Sequence, residues 1–501
     1  MFIQLGYASI EETNKLSERY GKALIFVQDF EVLKKVVKSS ATNDKVTVVV
    51  SGSDVDSVRL QGVGLVVVYP NQEEALRGCV KTIEKSLSPI MFMEHPGVLP
   101  VSLKETEYKW IRDVKDRLIL YHNSDWQTLL HLSSDFMFAS NNSRAYDLAK
   151  EGLLICPEEK KHKFYEKIGV VSYYLGSLQE GYEACETVVF SKHCSYRERC
   201  LSLRNQGFYL SPIKFQEIIV VPFDVAQGFN GTNPSMIPNS EGGYTYNLRG
   251  VNYEIDAPQP PLIITKNYVL KLDKNLSVIS GKELVDNTKK ECASKTRVKG
   301  LEDVRLISDG KFFCNCVEVR GTPMISYGEY DVNTYHVTKL EAIKTNDGTW
   351  RDCEKNWLPF VVDGQIYFIY ELSPLTIYKF DPSTTTASTH LKVEGESIGE
   401  LRGSAQPIRY KNGWLGTSHQ VYTAEGYAKR QYFHRFFWIS DDFRELKLGR
   451  LFYFEYKGIE FSLSLCHSEK GLLVCYSRQD KVARVGVLSY KNLDEMLENK
   501  I

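Results

Sequence analysis

Residues 300–317 read Gly-Leu-Glu-Asp-Val-Arg-Leu-Ile-Ser-Asp-Gly-Lys-Phe-Phe-Cys-Asn-Cys-Val and contain one complete strand, turn and strand. The apolar run Val304–Ile307 predicts a buried strand. Ser308-Asp309-Gly310 supplies turn residues, and Lys311–Val317 predicts the returning strand. The stretch is therefore a predicted β-hairpin.

Hairpin signals of this kind recur from about residue 211 onward, with further turns at Val362-Asp363-Gly364 and Lys411-Asn412-Gly413. The other predicted strands are Ile218–Pro222, Gly243–Leu248, Tyr268–Leu272, Gln365–Tyr370, Thr376–Phe380, Trp414–Ser418, Phe433–Ile439, Phe461–Leu465, Leu472–Tyr476 and Ala483–Val487. Residues 211–501 fit a five-bladed β-propeller with blades of about 58 residues. A large β-sandwich is the alternative.

Residues 1–140 have a different pattern, in which apolar runs alternate with amphipathic stretches. The predicted buried strands are Ala23–Val27, Val46–Val50 and Val63–Tyr69, and the predicted helices are Glu11–Tyr20, Phe30–Val37 and Gln72–Leu87. Such alternation is typical of a parallel α/β domain. Its role stays open, because the segment has no glycine-rich nucleotide-binding motif.

Residues 141–210 have helical periodicity throughout. Tyr173-Tyr174-Leu175-Gly176, followed by Gly181-Tyr182-x-Ala184-Cys185, resembles the helix–turn–helix hairpin of tetratricopeptide repeats. At most two units are visible, fewer than a free-standing array needs. We therefore expect a tetratricopeptide-like linker packed on a neighbouring domain rather than a peptide-binding groove.

The composition describes a folded protein without a strong charge. The chain of 501 residues has 62 basic and 63 acidic side chains and a net charge of −1, which provides no general attraction to nucleic acid or to anionic membranes. We find neither a signal peptide nor an apolar run of 18 residues, so we expect a cytoplasmic protein without membrane insertion. The 11 cysteines lack metal-ligand spacing, and we expect reduced thiols, no metal and no cofactor.

One short motif has the form of a known metal-binding motif. Asp54-Val55-Asp56 has the Asp-x-Asp form that some glycosyltransferases use to bind a metal ion. It lies in a run rich in Ser, Gly and Asp, which favours a surface turn.

Glu302 and Asp303 are the most informative polar residues, because an apolar strand follows them directly. Burying two carboxylates is costly unless they are paired. If the segment is extended, Asp303 and Arg305 share a face within ion-pairing reach, either as a structural pair or as a tuned acid or base. Glu302 and Asp303 would point to opposite faces and could not flank one glycosidic bond.

The order of several motifs across residues 228–490 resembles glycoside hydrolase family 130, the mannoside phosphorylases and their relatives. The segments that carry the resemblance are Asn233-Pro234-Ser235, Leu248-Arg249-x-x-Asn252-Tyr253, Gly300-Leu-Glu-Asp-Val-Arg305, Glu354-Lys355-Asn356-Trp357-x-Pro359-Phe360, Gly413-Trp414-Leu415-x-x-x-His419 and Tyr476–Asp480. The family's members are five-bladed propellers. A subset joined to a tetratricopeptide-like segment is associated with glycosyl transfer, and this chain is most similar to that subset.

The resemblance implies roles for ten residues. Asp303 would be the general acid/base, its proton passing through a substrate hydroxyl, and Glu302 would position sugar hydroxyls. The expected phosphate ligands are Arg305, Lys355, Arg402 and His419, and the expected pocket-lining residues are Asn233, Arg249, Asn356 and Asp480.

Each of these assignments has a structural alternative. His419 could be a hydrogen-bonded core histidine, Lys355 a solvated loop lysine, and Asp480 an ordinary turn residue. Arg402 could cap a hairpin. Packing anchors rather than sugar platforms are expected at Trp357 and Trp414.

The predicted function is transfer of a sugar from a sugar-phosphate or nucleotide-sugar donor to a carbohydrate acceptor. The first alternative is a β-mannoside phosphorylase. The second is a non-catalytic glycan-binding or scaffold protein. The sugar, the linkage and the acceptor remain open.

Overall fold

The computed structural model describes five N-terminal strands and most of the chain beyond residue 125. The described residues are Phe2–Leu5, Ala23–Val27, Asn43–Ser51, Val63–Tyr69, Met91–Glu94 and 126–498, without 139, 289–296, 347, 349–350, 398 and 424–428. The chain divides into two compact units, Met1–Lys167 and Ile168–Ile501.

The first unit contains a parallel sheet. Its strands are β1 (Phe2–Leu5), β2 (Ala23–Val27), β3 (Asn43–Ser51), β4 (Val63–Tyr69) and β5 (Met91–Glu94), in the order β4-β3-β2-β1-β5. All neighbouring pairs are parallel. The three predicted strands lie within β2, β3 and β4. The three predicted helices and the Asp54-Val55-Asp56 motif lie outside the described residues, so the α/β domain stays a prediction.

Five helices lie within residues 126–206 of the part of the chain that the structure describes. They are α1 (Trp126–Phe138), α2 (Asn142–Ile155), α3 (Lys161–Leu175), α4 (Leu178–Val189) and α5 (Tyr196–Gln206), with 3-10 turns at Glu158–Lys160 and Gly207–Tyr209. Ser195 and Glu198 form a capping box at the start of α5. The tetratricopeptide-like arrangement of these helices stays a prediction. The predicted domain boundaries also stay predictions.

The second unit contains five sheets that follow one another along the chain and are antiparallel except for two short edge pairs. Short strands β6 (Glu217–Ile219), β11 (Val298–Lys299) and β16 (Lys344–Thr345) add to their edges, and α6 (Tyr490–Leu497) follows the last blade.

Blade 1 is β7 (Asn230–Pro238), β8 (Tyr244–Val251), β9 (Ile263–Leu272) and β10 (Val278–Glu283); blade 2 is β12 (Glu302–Ser308), β13 (Lys311–Cys316), β14 (Met324–Tyr330) and β15 (Val337–Ala342). Blade 3 is β17 (Leu358–Val362), β18 (Gln365–Leu372), β19 (Leu375–Asp381) and β20 (Thr386–Lys392). Blade 4 is β21 (Arg402–Gly403), β22 (Ile408–Tyr410), β23 (Gly413–Tyr422), β24 (Gln431–Ser440) and β25 (Leu446–Phe452); blade 5 is β26 (Glu460–Ser468), β27 (Gly471–Arg478) and β28 (Val482–Leu488).

This arrangement confirms the five-bladed propeller and excludes the large sandwich. The inner strand β12 contacts the inner strands β7, β17 and β26 of blades 1, 3 and 5, so the blades surround a common centre. β6, which precedes blade 1 in sequence, pairs with β28 of blade 5. Blade 5 is therefore completed by a strand that precedes blade 1 in the sequence.

Apolar packing between blades explains why the strands are rich in large hydrophobic residues. One buried cluster joins each neighbouring pair of blades, for example Val304 and Leu306 of blade 2 with Val269 of blade 1. Equivalent clusters join blades 2 and 3, 3 and 4, 4 and 5, and 5 and 1. Because both faces of a blade are covered, β8 is buried along its whole length.

Helices α4 and α5 pack on blade 4. Tyr182 and Cys185 of α4 and Leu203 of α5 form one cluster with Phe433 and Leu451 of the blade. The Tyr182 hydroxyl also accepts a hydrogen bond from the Leu451 amide at 2.8 Å. Helices α4 and α5 therefore belong to the same unit as the propeller.

Candidate active site

Arg249 organises the centre of the site by holding two adjacent carboxylates. Its Nη1 lies 2.8 Å from Oδ1 of Asp303, and its Nη2 lies 2.8 Å from Oε1 of Glu302. The Arg249 side chain is only 4% exposed, so these are charge-assisted bonds in a desolvated place. Both carboxylates thus face one guanidinium, which corrects the expectation that they point to opposite faces.

The backbone of Asp303 explains this correction. Its φ angle is +50°, and the pairing of β12 with β13 shifts register between Glu302 and Arg305. The strict alternation of an extended strand therefore does not apply here. Three other expected site residues also have positive φ angles, Asn233 at +39°, Asn356 at +65° and Asp480 at +48°. Strained backbone of this kind concentrates at functional sites.

Asn233 of β7 binds the same carboxylate oxygen of Asp303 as Arg249 does. Its Nδ2 donates to Oδ1 of Asp303 at 2.8 Å. Its own Oδ1 accepts hydrogen bonds from the hydroxyls of Thr232 and Ser477. These two donors determine the orientation of the amide, so that the NH₂ group points at the carboxylate.

Asp303 is ionised near neutral pH. Burial raises the pKa of its carboxyl group, but the charge of Arg249, the hydrogen bond from Asn233 and the charges of Lys355 and Arg305 outweigh burial and bring the pKa below its ordinary value. For Arg249, burial lowers the pKa, whereas Glu302 and Asp303 raise it, and the net shift is upward. The cluster therefore holds a carboxylate in its basic form.

Asp480 is the third carboxyl group of the centre, in the turn after β27. Burial raises its pKa above the ordinary value, opposed by Arg249 and by a hydrogen bond from the Tyr253 hydroxyl, which lies 2.8 Å from Oδ2. The charges of Asp303 and Glu302 raise it further. Asp480 is 9% exposed, so it borders the site rather than being an ordinary solvated turn residue.

Lys355 links this centre to a neighbouring cleft. Its Nζ lies 3.5 Å from Oε2 of Glu302. Burial lowers the pKa of Lys355, but Glu302 and Asp303 raise it more, so its net pKa lies above the ordinary value. The side chain is 37% exposed, and its charge is therefore available on the cleft side.

The cleft has a volume of about 460 Å³ and lies between blades 3 and 4. Three expected site residues line it: Lys355, Asn356 and Arg402. The Arg402 side chain is exposed and makes no hydrogen bond or ion pair with any residue that the structure describes. Arg351, which pairs with Glu371 at 2.9 Å, and Glu400 also line the cleft. Arg402 thus lacks a counter-ion among the described residues, and together with Lys355 it can accept an anionic group.

Arg305 does not form the expected direct pair with Asp303, and its expected role toward phosphate stays a prediction. It is 2% exposed, and its Nη1 donates to the main-chain carbonyls of Ser404 in blade 4 and, at 3.1 Å, of Leu463 in blade 5. Asp303 forms its direct ion pair with Arg249 rather than with Arg305, because the positive φ angle turns its side chain away from the extended direction. Burial lowers the pKa of Arg305 to about 10, so it remains a cation.

His419 of β23 is buried beside Arg305 and Arg402. Its Nδ1 lies 2.8 Å from the Ser404 hydroxyl, and its ring stacks on Tyr432 with centroids 5.5 Å apart. Burial, the neighbouring His434 and the charges of Arg402 and Arg305 bring the pKa of His419 well below its ordinary value. It is therefore a neutral ring, and its role toward phosphate stays a prediction.

Several residues of the site were not assigned a role from the sequence. Tyr253 falls within a quoted motif, but nothing indicated that its hydroxyl reaches Asp480, which is 227 positions away. The cleft is also lined by Arg351, Tyr370, Glu371 and Glu400. Their types are ordinary for loops and strands, so no signal marked them. Trp357 and Trp414 are packing anchors, as expected, within aromatic clusters of blades 3 and 4.

The site thus combines a carboxylate in basic form, a second carboxyl group of raised pKa and an adjoining cationic cleft. Among the described residues, no three His, Cys, Asp or Glu ligand atoms converge at this place. The arrangement can remove a proton from a hydroxyl group while a nearby anionic group is held by Lys355 and Arg402.

No protein-family model matches the chain, and no curated protein matches its sequence. Among solved structures, it is similar to a β-1,2-mannobiose phosphorylase from Listeria innocua in complex with β-1,2-mannobiose, at 15% identity over 55% of this chain and 95% of that one, with a TM-score of 0.38. A mannose phosphorylase from Leishmania mexicana in complex with phosphate ion matches at 13% over 56% and 91%, with a TM-score of 0.37. A GDP-Man-dependent mannosyltransferase from Leishmania mexicana matches at 12% over 59% and 96%, with a TM-score of 0.39. These values are too low to support a functional argument, and the architecture rests on the strand pairing of this chain.

Proposed function

We propose that the propeller is a glycan-active enzyme that transfers a sugar from a phosphate-activated or nucleoside-diphosphate-activated donor to a carbohydrate acceptor. The observation that carries the proposal is the position of Asp303, a strained carboxylate held by Arg249 and Asn233 beside a cationic cleft. The motif resemblance to glycoside hydrolase family 130 supports the same chemistry.

The ionised state of Asp303 suits the direction of reaction in which an acceptor hydroxyl attacks the activated donor. In transfer, Asp303 takes the proton of the acceptor hydroxyl while the oxygen of that hydroxyl attacks the anomeric carbon of the donor. The bond from that carbon to the donor phosphate breaks, and the phosphate or diphosphate leaves with the electron pair without needing a proton. In phosphorolysis, the leaving sugar oxygen must receive a proton from an acid. A carboxyl group of lowered pKa is a poor acid at neutral pH.

The cleft is placed to receive the activated end of the donor. Lys355 contacts both the cleft and Glu302, so an anionic group beside Lys355 lies next to the carboxylate centre. In this proposal, Lys355 and Arg402 hold the phosphate, Glu302 and Asn233 orient sugar hydroxyls, and Asn356 and Asp480 line the sugar pocket. Arg249 is a positioning residue, because it acts through the two carboxylates.

A thermal-shift screen against nucleotide sugars, sugar 1-phosphates and inorganic phosphate tests the proposal. A ligand at a hundred times its dissociation constant stabilises the binding unit by about 2.7 kcal/mol. The shift should disappear in Lys355→Met and persist in Lys266→Met, a matched control whose ammonium pairs with Glu283 at 3.0 Å on blade 1.

The donor found in this way allows a turnover assay. We expect Asp303→Asn to lower turnover by about 10²- to 10⁴-fold while the protein remains folded. Full turnover in folded Asp303→Asn would refute the mechanism. Release of sugar 1-phosphate that depends on inorganic phosphate would establish the phosphorylase instead, and ligand binding without any turnover would favour a glycan-binding protein.

A further inference from the structure

Helices α4 and α5 contact the turn that forms one wall of the cleft between blades 3 and 4. The turn contains Gly399 and Glu400, with φ angles of +79° and +52°, and it leads directly into Arg402 of β21. We propose that the helical segment positions this turn, and with it Arg402, for binding of a phosphate or diphosphate group. This inference rests on the proposed function of the cleft.

The first contact is steric and involves Phe190 at the C-terminal end of α4. A Cβ atom on Gly399 would lie 2.4 Å from Cε1 of the Phe190 ring. The Phe190 ring therefore packs directly against the turn. Position 399 requires glycine both for this close approach and for its positive φ angle.

The second contact is a chain of buried hydrogen bonds. Arg435 of β24 is fully buried, and its Nη1 donates to Oε1 of Glu186 in α4 at 2.7 Å. The Nε of Arg435 donates to Oε1 of Gln420 at 3.1 Å, and Nε2 of Gln420 donates to the Gly399 carbonyl at 2.5 Å. These hydrogen bonds connect α4 to the turn through two strands of blade 4, β24 and β23. Because the charge-assisted bond to Glu186 is short and directional, we expect loss of Glu186 to loosen the turn, although Arg435 also donates to the Gly449 carbonyl at 3.0 Å.

The third contact comes from α5 and reaches the other residue of the turn. Nη2 of Arg199 lies 3.8 Å from Oε1 of Glu400. Contacts from two helices therefore converge on two consecutive residues in the left-handed region. Such a conformation persists only where the surroundings enforce it, and here the helices supply that enforcement.

These contacts make Glu186, Phe190 and Arg199 positioning residues, since none of them lines the cleft beside Lys355. Their substitution should weaken anion binding only by displacing the turn and Arg402. The loss should therefore be absent once Arg402 has been removed, which is the signature of two residues acting through one interaction.

The experiment uses the full chain and the variants Glu186→Ala, Glu186→Gln and Arg199→Gln. Hydrogen exchange measured by mass spectrometry reports on the amides of residues 399–403 without any ligand. Calorimetric titration with inorganic pyrophosphate reports on the cleft, with and without Arg402→Ala. The matched control is Lys411→Gln, because Lys411 ties the same blade to Asp494 of α6 at 2.6 Å and does not contact the turn.

We expect exchange at residues 399–403 to rise about tenfold in Glu186→Ala and Arg199→Gln. The dissociation constant of pyrophosphate should rise about three- to tenfold in both, and less in Glu186→Gln, which keeps a hydrogen-bond acceptor. Neither quantity should change in the control. If Glu186→Ala fails to fold, the same two measurements on Arg199→Gln decide whether the inference holds.

Unchanged exchange in the turn would overturn the inference, as would an effect on affinity that adds fully to that of Arg402→Ala. If pyrophosphate does not bind the unmodified protein, the proposed donor site fails. The exchange measurement then still decides whether the helices order the turn, so the two failures are distinguishable.

Discussion

Replacing Arg249 by methionine should destabilise the propeller strongly at neutral pH. The substitution removes the cation between Glu302 and Asp303, whose side chains are only 13% and 16% exposed. At an effective dielectric constant of about 20, each contact of 2.8 Å contributes about 6 kcal/mol of attraction. The cost of desolvating the three charged groups offsets most of it, so that removal of one buried partner typically costs about 3–5 kcal/mol.

The pH dependence gives this prediction its specificity. The pKa of Asp303 is depressed in the folded protein, so its contribution is present above the ordinary value of about 3.9 and is lost as the pH falls through the folded pKa. In Arg249→Met, the largest opposing charge is gone, and burial then raises the pKa of Asp303. This carboxyl group is then protonated in mild acid, so the deficit relative to the unmodified protein should shrink from pH 7.5 to pH 5.

Urea unfolding, followed by the fluorescence of the buried propeller residues Trp357, Trp414 and Trp438, measures the free energy of unfolding at both pH values. The control Lys266→Met breaks a partly exposed pair at 3.0 Å and should cost no more than about 1 kcal/mol at either pH. A loss in Arg249→Met as small as that of the control, or one independent of pH, would refute the reasoning.

Two further predictions concern other buried groups. Burial raises the pKa of Glu460 to about 7, although its carboxylate accepts three backbone N–H bonds from residues 454–456. Ionisation therefore disfavours the folded state, and stability should fall by about 3 kcal/mol between about pH 4.3 and pH 7; urea unfolding of Glu460→Gln should lack this decline, and a decline of equal size would contradict the assignment. A Cβ atom on Gly403 would lie 2.2 Å from the Asn356 carbonyl. Gly403→Ala should thus cost about 1–3 kcal/mol in thermal unfolding and weaken pyrophosphate binding, whereas unchanged affinity would separate the packing of blades 3 and 4 from the function of the cleft.

The sequence predicted those strands whose side chains are apolar on both faces. The predicted run Phe433–Ile439 lies within β24, which is buried over most of its length because neighbouring blades cover it. The inner strand β7 escaped prediction, since Asn-Gly-Thr-Asn-Pro-Ser carries polar groups toward the site rather than an apolar pattern. The outer strand β20 also escaped, because its solvent-facing residues are polar and exposed.

The composition of the site was accessible from motif order, but its geometry was not. Glu302, Asp303, Arg249, Asn233 and Asp480 were named as site residues, and the structure brings them together. The pairing of Asp303 with Arg249, 54 positions away, depends on how two blades meet. Its positive φ angle is a property of tertiary context, since local sequence rules assume an extended strand.

The pairing of β6 with β28 has a consequence for synthesis of the chain. Residues 217–219 leave the ribosome first among the strands of the propeller, yet their partner Val482–Leu488 is translated about 260 residues later. At 5–20 residues per second, this interval is roughly 13–50 seconds. During that time the ring stays open, and an unpaired strand edge is a template for association with another chain. Deleting residues 217–219 would make this transient exposure permanent, so the short strand protects the finished protein from such association by covering the edge of β28.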